Sequence, residues 1–338
     1  MRYRLFATCK IVRGISRSTL CDLQRERYIF LPNEFVDLFN GDVIELDELA
    51  ETMDDEELIE VKKYIGYLVD HQYLFMFDED ENDFFPALSD VYQYPGAISN
   101  SIIEITDRNL SLLHSSKVIG QLLMAGCRNF ELRLIGDFSF PSLRLLKQLI
   151  NRYGKEMFSV DIAIERQNLE IDIRKFVRFL KRNSNVRSLI IFNPFENRLI
   201  VQKSRGFGGL ALAKGNLNAE NCGFISPMYF SMGIKTYTEG LNHNTCLNKK
   251  LSIDRSGNIK SCPSSLTSYG SILDVKIEAV LNINEYKAIQ NITKSQIEVC
   301  KTCEFRMTCT DCSVFTENPT DMYSKPLKCS YNPETMTW

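Results

Sequence analysis

The chain has 338 residues, 40 lysines and arginines against 43 acidic residues for a net charge of −3, and 44% hydrophobic content. That length allows two or three domains with buried cores, and the near-neutral balance offers no bulk basic field for a nucleic-acid partner. No apolar run approaches the roughly 18–20 residues of a membrane span, and the charged start MRYRLF is not a secretory signal.

Residues 1–80 form the first expected domain. RYRLFATCKIV and STLCDLQRERYIFLP are rich in aromatic and β-branched residues and read as strands around the turn RGISRS. Pro32-Asn33 opens a short helix, EFVDLFN, that stops near Gly41, and DELAETM and DEELIEVKKYIGYLVDHQ follow as helices. In the second of these, Leu58, Val61, Ile65 and Leu68 share one face. Its acidic start, Asp54 to Glu57, suits the positive end of the helix dipole. YLFMFD returns as a strand. This order of strands, helices and strand resembles the winged-helix fold of the PqqD-like recognition elements that bind leader peptides in ribosomal peptide modification. The resemblance implies that an extended leader adds to the strand at Tyr28, Ile29 and Phe30 and lies against the helix bearing Tyr64 and Tyr67. The same aromatics also suit an ordinary core. Cys9 and Cys21 read as small buried residues. An acidic linker covers 81–96, within DEDENDFFPALSD and beyond.

From 97 to 205 strand and helix alternate: ISNSIIEIT, LLHSSKVIGQLLMAG, FELRLIG, PSLRLLKQLINRYG, FSVDIAIE, IDIRKFVRFLKRN and VRSLIIF. Repeated units of this kind give a parallel sheet with helices outside it, and ligands sit beyond the carboxyl ends of the strands. The loop after the first strand, TDRNL, holds no cysteine, and no C-x3-C-x2-C occurs in the chain. Three thiolates of that spacing would be needed for a radical-generating cluster that binds S-adenosylmethionine. Gly136-Asp137 resembles a worn form of the motif that holds this cofactor's amino group, and its plain reading is the turn after a strand. The stretch is therefore read as a degenerate, partial barrel of four strands, binding no S-adenosylmethionine. Cys127 reads as buried structure, and His71 and His114 as helix-surface residues. Residues 206–245 read as a connector, with SRGFGGLALAKGN flexible and lacking the lysine and hydroxyl of a phosphate loop.

Seven of the eleven cysteines fall at Cys246, Cys262, Cys300, Cys303, Cys309, Cys312 and Cys329. Such density needs a cross-linking agent. Disulfide frameworks belong to small secreted domains. Zinc knuckles use two C-x-x-C pairs, usually about 15–20 residues apart, but here five residues separate them. Iron–sulfur cubanes also take four thiolates, from distant segments. KKLSID and GNIKSC read as a hairpin, SILD as a short strand, IEAVLNINEYKAIQNI as a helix, and Lys249-Lys250 as a solvated pair.

The cysteine order, with Gly257 between the first two, resembles the SPASM domain, the auxiliary-cluster module of peptide-modifying radical S-adenosylmethionine enzymes. It departs in the last pair, where Cys309 and Cys312 are separated by two residues rather than three. The words NHNTCLNKKLSID, IKSCPSS, YGSILD, CTDC and YSKPLKCSYNP resemble, along the whole chain, the SPASM partners of grasp-with-SPASM peptide-maturation systems. The resemblance implies a SPASM domain at 246–338 and two 4Fe–4S clusters. One would be held by Cys246, Cys262 and Cys312 with Cys222 or His243 as fourth ligand, Cys222 being favoured as a thiolate. The other would be held by Cys300, Cys303, Cys309 and Cys329. The overall expectation is α/β plus α+β: a winged-helix-like recognition domain, a degenerate radical-SAM-like (β/α) barrel and the cysteine-rich domain. The implied function is a cytoplasmic, non-catalytic accessory protein that binds a ribosomally made precursor and acts with an ATP-grasp ligase. A cluster-dependent redox enzyme and a zinc-stabilised scaffold stand as alternatives.

Overall fold

The computed structural model describes residues 1–78, 84–106, 109, 118–136, 140–166, 172–202, 208–218, 221–310 and 312–338. Two units share the chain, and neither is continuous in sequence. Unit one joins Met1–Tyr92, Gly223–Cys246 and Asn291–Trp338; unit two joins Gln93–Cys222 and Leu247–Gln290.

Unit one begins with four strands where two are expected: β1 (Arg2–Leu5), β2 (Cys9–Arg13), β3 (Ser18–Asp22) and β4 (Arg27–Leu31). The chain breaks between β1 and β2 because a tight turn forms, with the Cys9 amide donating to the Phe6 carbonyl at 2.7 Å. Between β3 and β4 the buried Asp22 carboxylate accepts the amides of Gln24 and Arg25 at 3.2 and 3.0 Å, a side-chain mimic of a backbone turn. After α1 (Asn33–Val36), β5 (Val43–Glu45), α2 (Leu46–Thr52) and α3 (Asp55–Asp70), the strand β6 (Leu74–Phe77) returns. Two antiparallel sheets result, ordered β5-β1-β6 and β2-β3-β4. Asp54 caps α3 by accepting the Glu57 amide at 2.9 Å, and the expected stripe buries Val61, Ile65 and Leu68 with Leu20, Leu31, Phe35 and Leu74. Cys9 and Cys21 are buried as expected. The helix Ile234–Asn242 also belongs to this unit.

Unit two is built on one eight-stranded sheet. β7 (Asn100–Ile105), β8 (Asn129–Leu134), β9 (Ser159–Glu165) and β10 (Val186–Asn193) are parallel neighbours. α4 (Ile119–Met124), α5 (Phe140–Tyr153) and α6 (Ile173–Arg182) lie between them in sequence, as the alternation predicts. His114, Asp137 and most of the TDRNL loop lie outside the described residues. Two further strands follow, β11 (Arg198–Val201) and β12 (Gly209–Lys214), the latter parallel to β10. This corrects the reading of GGLALAK as flexible. Gly208 is glycine for closeness rather than freedom, since a Cβ there would stand 2.2 Å from the Val186 carbonyl oxygen. The hairpin β13 (Ser252–Ile253) and β14 (Ile259–Lys260) extends the other edge, with Ile253 beside Ile103 of β7. SILD forms only an isolated bridge between Ser271 and Asn258, and the expected long helix is two short ones, Ile277–Val280 and Asn284–Ala288, broken at Asn282-Ile283. Lys249 is not simply solvated, because its ammonium donates to the carbonyls of Tyr94 and Gly96 at 2.9 Å each. No helix among the described residues is long and apolar enough to cross a membrane.

The β13–β14 turn explains the glycine of the cysteine motif. Gly257 sits at φ 84°, a conformation glycine adopts freely, and Asp254 accepts the amides of Ser256 and Asn258 at 2.9 Å each and meets Lys260 at 3.2 Å. Burial pushes the Asp254 carboxyl up, but these donors outweigh it and hold the carboxyl below its ordinary range. A lowered folded-state value means the turn's stability is present above the unfolded carboxylate value near 4 and is lost as pH falls through the folded one. Asp254→Asn is expected to cost about 1–3 kcal/mol at neutral pH and to flatten the acid limb of a urea-unfolding series below about pH 4.

Candidate metal centre and peptide groove

The four-cysteine run is wound from consecutive tight turns. Val299 has φ 64° and ψ −44° and is the middle of a three-residue turn in which the Cys300 amide donates to the Glu298 carbonyl at 2.7 Å. That conformation is strained, more so for a β-branched residue, and strain of this kind gathers at functional sites. A 3₁₀ turn follows at Cys300–Thr302. The amide of Cys303 reaches the Cys300 carbonyl at 3.0 Å, that of Cys309 reaches Phe305 at 2.8 Å, and that of Cys329 reaches Pro326 at 3.0 Å.

These turns place Cys300, Cys303, Cys309 and Cys329 on the wall of one cavity of about 30 Å³ in unit one. The rest of the wall is apolar, chiefly Phe230, Phe305, Tyr331 and Trp338, with three cationic residues, Lys294, Arg306 and Lys325, and no carboxylate. Lys294 is only 6% exposed. Cations in such a wall would offset the negative charge of a four-thiolate centre once it is loaded. The Phe305 amide donates to Cys303 Sγ at 3.4 Å, the kind of contact that tunes metal-bound sulfur. Burial pushes the Cys303 thiol up to about 12, so a metal arriving there would displace a proton. The donor set fits a thiolate centre. The thiols are presented rather than gathered: among the described residues no three His, Cys, Asp or Glu side chains stand close enough to hold a single ion, as a preformed zinc site with sulfur at about 2.3 Å would require.

The other expected ligands divide between the units, Cys246 and Cys312 in one and Cys222 and Cys262 in the other. Within unit two, Cys222 and Cys262 both lie in the electrostatic surroundings of buried Arg133 on β8. Within unit one, Gly223 is pressed on Cys312, where a Cβ would lie 2.5 Å from the cysteine's own. The Cys246 amide donates to the Asn244 side chain at 3.0 Å. His243 follows the helix Ile234–Asn242 and shares Nδ1 with the Asn291 side chain at 3.2 Å.

A groove of about 340 Å³ runs between β4 and α3, lined by Ile29, Phe30, Leu31, Glu60, Lys63, Tyr64 and Tyr67. β4 is the outer strand of its sheet, and an outer strand presents unpaired backbone groups for another chain to join. Tyr67 and Phe30 are 46% and 40% exposed, while Tyr64 also packs on Phe35 at 4.8 Å. Tyr28 is not part of the groove wall; its ring meets Phe305 edge-on at 5.9 Å.

Sequence reasoning missed the seam that ties β2-β3-β4 to the cysteine loop. Glu304, 1% exposed, takes Arg17 Nε at 2.8 Å and the Tyr331 hydroxyl at 2.5 Å. Arg17 lies over the Phe30 ring at 3.5 Å. The Ile15 amide donates to the Thr302 carbonyl at 2.8 Å. No spacing rule connects residues 287 apart in the chain.

No protein-family model matches the chain, and no curated protein matches it. Among solved structures it is similar to SuiB of Streptococcus suis. The crystal structure of SuiB bound to S-adenosylmethionine aligns with a TM-score of 0.30 and 11% identity over 98% of this chain and 100% of that one. A second crystal structure of SuiB gives 0.30 and 11% over 97% and 100%. Likeness at that level carries no argument here.

Proposed function

We propose that this chain is an accessory protein of ribosomal peptide maturation. The leader of a precursor peptide adds as a strand beside β4, with side chains in the α3 groove, and the protein presents the rest of the precursor to an ATP-grasp ligase. Cys300, Cys303, Cys309 and Cys329 hold an iron–sulfur cluster that fixes the loop-rich segment; such a cluster can also exchange electrons. A second cluster on Cys246, Cys262, Cys312 and either Cys222 or His243 rests on the cysteine order alone, as does the ligase pairing. The observation that carries the reading is that an open strand edge with an aromatic groove and a four-cysteine cavity occur in one unit.

Metal analysis after anaerobic purification tests the centre: iron and sulfide are expected, zinc alone would favour the scaffold reading, and less than one equivalent of either removes the site. Titration with the synthetic leader of a precursor encoded beside this chain's gene tests the groove. Saturable binding is expected, and Tyr67→Ala should weaken it about 5- to 30-fold, the effect of truncating an interfacial aromatic by 1–2 kcal/mol. A leader that binds the variant as tightly as the wild type places recognition elsewhere.

A further inference from the structure

We infer that the leader groove and the thiol cavity are energetically coupled through Phe30 and Phe305, so that filling either raises affinity at the other. This rests on the reading that both sites bind. Phe30 is a wall of the groove, and its ring also meets Phe305 edge-on with centroids 5.7 Å apart. Phe305 lines the thiol cavity and packs on Phe230 and Tyr331 at 5.1 and 5.2 Å. Its amide is the donor to Cys303 Sγ. A second line of contact runs alongside: Arg17 stacks on Phe30 at 3.5 Å and pairs at 2.8 Å with Glu304, the residue between Cys303 and Phe305.

Loading ties four thiolates on separate turns to one centre and so resets the loop that carries them. Cys303 cannot move without Glu304 and Phe305. In a close-packed cluster one ring does not shift alone, so the movement reaches Phe30 and with it the groove wall. Either event orders the same aromatic wall, so the second meets a smaller ordering cost, and the coupling is reciprocal by linkage.

Hydrogen exchange of the full chain, anaerobically purified and then chelator-stripped, tests this without an activity assay. Amides of β4 are expected to exchange at least about fivefold more slowly in the loaded protein, the lower end of the usual coupling range. The sheet β5-β1-β6, in the same unit, is expected to change less, which separates coupling from general stabilisation. Phe30→Leu, at an exposed position, should keep the metal content and lose the difference at β4. In the reverse direction, Trp338 is the sole tryptophan and lines the cavity, so its emission should change when the leader saturates the wild type and stay unchanged in Phe30→Leu at a leader concentration shown by titration to saturate that variant. Loaded protein whose β4 exchanges at the stripped rate overturns the inference alone. A chain with no metal to strip overturns it together with the reading beneath it, and is recognised from the metal content first.

Discussion

Replacing Cys303 with serine is expected to remove most of the metal from the four-cysteine cavity and to unfold much of residues 291–338. That segment has little regular structure to fall back on: Cys300–Thr302 is its one helical turn beyond Asn291 among the described residues, and the rest is turns and isolated bridges. Structural metal in such a segment contributes folding free energy on the order of 10 kcal/mol. A serine hydroxyl stays protonated and is a poor ligand, so that contribution is lost nearly whole. Iron and sulfide content should fall by one cluster's share, to about half of the wild-type value if the second cluster is loaded, and the first thermal transition should drop by about 10 °C or more. Cys127→Ala is the control, because Cys127 is fully buried in the core of unit two, and it should keep its metal. Full metal content in Cys303→Ser, or equal loss in Cys127→Ala, would remove the assignment.

The parallel sheet was legible because its strands are apolar runs alternating with helical periodicity, a local signal that survives in any packing. β12 was not, because glycine clusters read as flexible whenever the close neighbour that demands them is distant; the Val186 carbonyl over Gly208 supplies that reason. The four-strand start was missed because Asp22 makes its turn through a side-chain bond that period alone does not show. For the site, the grouping of Cys300, Cys303, Cys309 and Cys329 came from the resemblance of the cysteine order to the SPASM pattern, since spacing alone pairs Cys309 with Cys312; the four line one cavity. Tyr28, Ile29, Phe30, Tyr64 and Tyr67 were singled out by the resemblance to leader-binding winged helices; all but Tyr28 line one groove. What joins groove to cavity was hidden, since Arg17 and Glu304 are ordinary charged residues until the chain brings them together.

That seam gives the second large effect. Arg17→Ala is expected to destabilise unit one by about 3–5 kcal/mol, the cost of leaving a buried charge without its partner. An exposed pair would be worth under about 1 kcal/mol, but Glu304 is 1% exposed in its side chain and Arg17 25%, so water cannot take the lost guanidinium's place. The Tyr331 hydroxyl at 2.5 Å remains and sets the cost toward the lower end. Arg17→Lys keeps the charge but loses the flat face stacked on Phe30 and should fall between the two. Arg17→Ala combined with Glu304→Gln should recover part of the loss, because the orphaned charge is gone, although the amide still needs donors and acceptors. Urea unfolding at neutral pH, with metal content held equal, checks the series. A cost under about 1 kcal/mol for Arg17→Ala, or no recovery in the double variant, would mean that the Arg17–Glu304 pair does not hold the seam and that the loop is tied to its sheet by the aromatic rings and the Ile15–Thr302 backbone bond.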